Sequence, residues 1–337
     1  MSGVASTTPP AANGELRPIE EAFDKWDGLA VLHQRKQKRF GFFTALLGPV
    51  AVLLLTVQIL AFPHASPVAL TLIAAELAAL MIVLSFGFFN IGSPDEWMRY
   101  RLRAEVLRRE KFLVKARVGP YLTESDTANA IKRRLVIIED FEPASLIPLS
   151  DKQGRTWRGL LEDARADGRK TASPDPDGFE VFYVQRLLDQ KGWYSRKGAR
   201  FGRLDLRFED VAKGVLVAAL VVAAWHLASL YFGTHGSGGE RSVSQLVTEI
   251  LAIVLPPVGA AATGLQSLLE GRRLSRSYAD RALMLTGLAE SFLTLQPQFT
   301  TGGPPREEHE FRFKRLVLRT EEALASELLQ WWLLRHT

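Results

Sequence analysis

Two apolar runs, about residues 42–62 and 67–89, are joined by nothing more than Pro63-His64-Ala65-Ser66. Each holds roughly 20 residues, and at about 1.5 Å per residue a helix of that length crosses a hydrocarbon layer about 30 Å thick. A core helix of a soluble protein that long carries a polar face, and these runs are almost free of charge. The linker has room only for a tight turn. The expectation is therefore a transmembrane hairpin, with the rest of the chain either repeating it or flanking it.

The repeat is visible downstream. A third apolar run covers about 214–232, a Gly-rich stretch follows at 233–242, and a fourth run covers about 246–269, stopped by Arg272, Arg273 and Arg276. Both halves thus share one order of basic helix, hairpin and basic amphipathic helix, which reads as a duplicated two-span module. The overall mean hydropathy of +0.02 averages over these greasy and charged segments. The net charge of +5 fits basic flanks on anionic headgroups, and no nucleic-acid signature accompanies it. Lysine and arginine crowd the long flanks of each hairpin, whereas the first short loop has none and the second has only Arg241. By the positive-inside rule both termini and the middle of the chain face the cytoplasm. There is no cysteine, hence neither disulfide nor thiolate chemistry.

Taken in order, residues 1–18 are rich in Ser, Thr, Pro, Ala and Gly and read as a disordered tail without a signal-peptide core. An amphipathic helix is expected over 19–39. Ser93-Pro94-Asp95-Glu96 has the form of a capping box with proline at N1, opening a helix to about Lys115. Residues 119–178 are read as a cytoplasmic linker region, in which Thr123-Glu124-Ser125-Asp126 can cap a helix whose apolar side is Ile131, Leu135 and Ile138, and 156–166 are read as a shorter helix. The Pro/Asp stretch 170–178 looks like the best boundary in the chain. Asp177 and Glu180 are expected to cap the next helix. The modules so defined are 19–118 and 179–337. A helix is expected over 278–295 and a last amphipathic one from Phe311.

Charge inside an apolar span is costly and usually functional. Glu76 falls near the middle of the second run and Glu249 in the outer part of the fourth, so both are candidate pore-lining residues; the alternative is an interhelical hydrogen bond, for example Glu76 to Gln58, or a position of Glu249 near the outer headgroups. His226 is a third pore-lining candidate, a pH-sensitive group or an ordinary interhelical hydrogen-bond partner. Pro256-Pro257 breaks the fourth run, as a gate hinge or a static kink. No motif of hydrolase, zinc peptidase or phosphate-loop type is present, and too few ligands gather for a metal. No catalytic residue, cofactor or metal is expected, and the chain is not read as an enzyme.

The segment Tyr183 to Lys197, with Arg186-Leu187, Gln190, Trp193-Tyr194 and Lys197, resembles the opening motif of SLATT domains, two-transmembrane effector domains associated with SMODS and SLOG proteins. Their closing helix is similar to Glu321-Glu322-Ala323-Leu324 with Glu327 and Trp331. Trp97 to Arg108, including Arg101 and Glu105, resembles the matching motif of a second subtype. The resemblance implies a bacterial plasma-membrane effector of an antiphage conflict system. Such an effector oligomerises to form a pore or perturb the membrane when a separate sensor or second-messenger-producing protein triggers it. It carries no catalytic residues. The motif aromatics are expected to anchor cytoplasmic helices against one another or at the interface, and Glu105 and Glu327 to pair with arginines. The fold expected is an all-α membrane protein of two tandem transmembrane helical hairpins with long cytoplasmic amphipathic helices. Its expected partners are the lipid bilayer and further copies of itself. A membrane-anchored scaffold that does not conduct is the alternative.

Overall fold

The computed structural model describes residues 14–61, 67–68, 71, 74–75, 77–78, 81, 94–151, 153–232, 243–269, 271–300 and 307–336, and all regular elements among them are helical. Among the described residues no helix is long and apolar enough to cross a membrane. Most of the second apolar run lies outside them.

The long helices ignore the change from charged to apolar composition. Helix α1 spans Arg17–Ala61, taking in both the expected amphipathic helix and the first apolar run. Its start corrects the expected tail: residues 14–16 form a turn, Pro18 occupies the first helical turn, and Leu16 and Ile19 are buried. Proline is favoured there because the N–H it lacks would have no helical acceptor.

Helix α2, Pro94–Ala116, opens at the proline expected at N1, and Ser93 lies outside the described residues. A tight 3-10 turn at Gly119–Tyr121 follows. Gly119 has φ 62°, and a Cβ there would fall 2.8 Å from the Trp157 ring, so both backbone and space demand glycine. Helix α3, Thr127–Asp140, begins as expected: the Asp126 carboxylate accepts the Asn129 N–H at 3.0 Å. Another 3-10 turn covers Pro143–Leu146. Helix α4, Trp157–Ala166, is capped by Thr156. A helical turn at Gly178–Glu180 leads into a π-helix over Val181–Leu188 and then α5, Asp189–Phe232. Helix α6 spans Val243–Leu269, α7 Gly271–Thr300 and α8 Glu307–His336.

Two expectations change here. Pro256-Pro257 does not break α6, which continues through both residues; two helical hydrogen bonds are lost while the proline φ remains helical. Asp177 provides no side-chain cap. Its carboxylate is taken by Lys115, whose Nζ donates to both oxygens at 3.0 Å.

The contacts group the chain into two compact units. Unit 1 contains residues 1–34, 93–195 and 280–337; unit 2 contains 35–92 and 196–279. In unit 1, α2 is the central element. Leu102, Ala104, Val106, Leu107, Leu113 and Ala116 are all buried, and Val106 and Leu107 pack with Ile138, Leu146, Phe23 and Trp26. A second part of this core is aromatic: Phe179 stacks on Phe299 at 4.7 Å, Phe182 on Phe292 at 5.5 Å, and Phe313 lies 5.5 Å from Phe179. The Pro/Asp stretch is pinned to this core. Ala172 N–H donates to Leu122 O at 2.9 Å and Asp175 N–H to Lys115 O at 3.0 Å.

Unit 2 is arranged the other way round. Its charged end is knit by small residues: Ser275 Oγ donates to Gly198 O at 3.0 Å, and a Cβ on Gly202 would meet Ser275 Oγ at 2.9 Å. Arg272 donates to Asp205 at 3.3 Å and to Glu209 at 2.6 Å. Along the apolar part, Leu216, Val217, Leu220, Val221 and Trp225 of α5 and Val247, Leu251 and Ile253 of α6 are exposed.

Candidate functional site

The motif residues converge on a buried line of charge in unit 1. Arg186, in the π-helix, and Glu321, on α8, are 3% and 0% exposed. They meet through two parallel bonds, Nε to Oε1 at 2.7 Å and Nη2 to Oε2 at 2.8 Å. The guanidinium also lies over the Phe112 ring at 5.3 Å. Burial would make Arg186 easier to deprotonate, but Glu321 outweighs this and the pKa is raised. Beside this pair, Glu105 of α2 accepts from Arg101 Nη2 at 2.5 Å and Arg108 Nη1 at 3.3 Å, and Arg101 Nη1 reaches Asp27 Oδ1 at 3.0 Å. Burial pushes the Glu105 carboxyl up; Arg101, Arg108 and Arg186 together hold it below its ordinary range. The Tyr194 hydroxyl donates to Glu327, and burial followed by that carboxylate raises the phenol well above its ordinary value.

The expected pairing of Glu105 with arginines is therefore present; Glu327 accepts the Tyr194 hydroxyl and adds to the attraction on Arg101. Gln190 is buried one helical turn before Tyr194, and Trp193 meets the Tyr194 ring edge-on at 4.9 Å. Trp97 is half-buried on α2, and Lys197 is half-buried in unit 2. The side chain of Trp331 lies outside the described residues.

Two further charged clusters were not anticipated. Glu110, 1% exposed, accepts from Tyr121 OH at 2.8 Å and Arg134 Nε at 2.9 Å. Next to it, Arg109 donates to the carbonyls of Ile147 at 2.7 Å and Leu146 at 2.6 Å, and burial lowers its pKa to about 10. Lys314 on α8 is 1% exposed and donates to Thr171 Oγ1 at 2.9 Å and Ala172 O at 2.7 Å. Burial lowers it to about 8 against the attraction of Glu310 and Glu307. One signal was available: Arg186 and Lys314 each adjoin a large apolar residue, Leu187 and Phe313, both buried. A charge at such a position needs a buried partner.

The pore candidates belong elsewhere. Glu249 is half-buried on α6 and His226 lies on α5, both in unit 2; the side chain of His226 and all of Glu76 lie outside the described residues. Pro256 and Pro257 are also on α6. Among the described residues no three His, Cys, Asp or Glu side chains gather as a metal site. No family model matches the chain, and no match was found among curated proteins or solved structures.

Proposed function

We propose that this protein is a helical membrane effector: unit 2 sits in the bilayer of the bacterial plasma membrane and unit 1 stands in the cytoplasm. The carrying observation is the outward apolar surface of unit 2. Trp225 is 68% exposed and Leu220 63%, on a helix whose last 19 residues, from Gly214 to Phe232, contain no charge. Water-facing leucine, valine and tryptophan in such a row are costly, and a lipid environment removes that cost. The four apolar runs, the basic flanks and the SLATT-like motifs support the same reading. Triggered by a separate sensor or messenger-producing protein, the chain oligomerises and opens or perturbs the bilayer. Several copies are needed, since four helices pack shut on their own.

A scaffold reading has its own support. Arg101, Glu105, Arg186, Tyr194 and Glu327 are spent on holding unit 1 together, which suits a rigid cytoplasmic platform for a partner. Reconstitution separates the two. The full chain in vesicles is expected to resist alkaline carbonate extraction and to release an entrapped ion-sensitive dye on crosslinking into oligomers. Retention without release in any oligomeric state favours the scaffold, and extraction into the supernatant refutes both.

A further inference from the structure

On α5, Arg196, Arg200, Arg203 and Arg207 recur at intervals of four, three and four residues, and all four are exposed. That spacing places them on one helical face. Two acids of the same helix are committed elsewhere, Asp205 and Glu209 facing Arg272 and Glu209 also taking Lys213 at 2.7 Å, while Asp210 stands exposed on the arginine face one turn beyond Arg207. Among the described residues Arg196, Arg200 and Arg207 meet no carboxylate, and Arg203 donates only to the Ala199 carbonyl at 3.4 Å. Like charges one turn apart repel, so the row stands against the helix that carries it unless an anion covers it.

The same face continues past Asp210 and Gly214 into Val217, Val221 and Ala224, all exposed. We infer that Arg207 binds the phosphate of an anionic phospholipid headgroup at the point where α5 enters the bilayer, with Arg203 one turn behind adding its attraction; this rests on the membrane reading above. Guanidinium suits the task because it grips phosphate oxygens with two parallel donors. Helical rise ranks the four. Counted from Gly214, Arg207 stands about 10 Å out, Arg203 about 16 Å, Arg200 about 21 Å and Arg196 about 27 Å. The headgroup layer is roughly 5–8 Å deep, and its field extends about 8 Å further at physiological salt. Arg207 reaches the phosphates, Arg203 lies at the edge of their field, and the outer two lie beyond it.

The absence of cysteine makes the test specific. Leu206, exposed beside this pair, is replaced by cysteine in the full chain and labelled with a fluorophore in neutral detergent micelles. Nitroxide-bearing phosphatidylglycerol is then titrated against the same probe built on phosphatidylcholine. Phosphatidylglycerol is expected to quench at far lower mole fraction. R203Q/R207Q weakens that preference by roughly 10- to 30-fold, about fivefold per arginine near the surface, while R196Q/R200Q changes it less than about twofold. Equal quenching by the two lipids overturns the proposal. So does an equal effect of the two double variants, which would mark the row as a face for a soluble polyanion. No quenching by either lipid, with the chain soluble without detergent, overturns the membrane reading itself.

Discussion

Breaking the Arg186–Glu321 pair tests whether the motif residues are structural. Both side chains are buried and joined by two bonds of 2.7 and 2.8 Å. Removing one partner leaves the other as an uncompensated buried charge, which costs about 3–5 kcal/mol, whereas replacing both by apolar side chains of similar volume is close to neutral. Arg186→Met and Glu321→Leu should each destabilise by that amount, and the double variant by no more than about 1–2 kcal/mol. The residue of that cost comes from Glu105, which loses the attraction of Arg186 but keeps Arg101 and Arg108. Unit 1 holds roughly 200 residues, a size at which about 1 kcal/mol moves the midpoint by ~2–4 °C. The single variants should therefore melt at least ~6 °C early, and the double variant within a few degrees of the parent. Tryptophan fluorescence of the full chain in neutral detergent follows the transition. Single variants that melt with the parent, or a double variant as low as the sum of both, would refute this account of the pair.

Lys314 gives a pH signature. Its folded pKa of about 8 lies below the ordinary 10.5, so between those values the unfolded chain binds a proton that the folded chain does not, and stability rises with pH across that window. The midpoint of the parent should climb relative to Lys314→Met between pH 8 and 10; parallel curves would show that the amine titrates normally. Gly178→Ala should destabilise by about 1–3 kcal/mol, the usual range for overpacking, because its Cβ would come 2.6 Å from the Lys115 carbonyl oxygen. An unchanged denaturation curve would mean that this contact relaxes freely.

Elements with local chemistry were legible in the sequence: a helix cap within 123–126, the α4 helix after Thr156 and the amphipathic α8. What escaped were properties set by distant residues. The stretch 170–178 reads as a boundary because Pro and Asp preclude regular backbone, yet irregular backbone can still be anchored, as Lys115, Leu122 and Lys314 do here. Helix α1 was divided at Arg39 because composition changes there, yet the helix continues through Gly41, Gly48 and Pro49. The π-helix has no composition of its own. The buried charges were recognisable as anomalies, but which carboxylate meets which arginine depends on how helices far apart in the chain come together.

Unit 1 draws on three separated stretches, and its seam joins Asp27 and Arg101 near the beginning to Glu321 near the end. A ribosome adding about 5–20 residues per second needs some 15–60 s between the first of these and the last. Until α8 has emerged Arg186 lacks the carboxylate that grips it through two bonds, so unit 1 is completed only then. Its charged seam therefore closes only after all four apolar runs, the last ending near residue 269, have been synthesised.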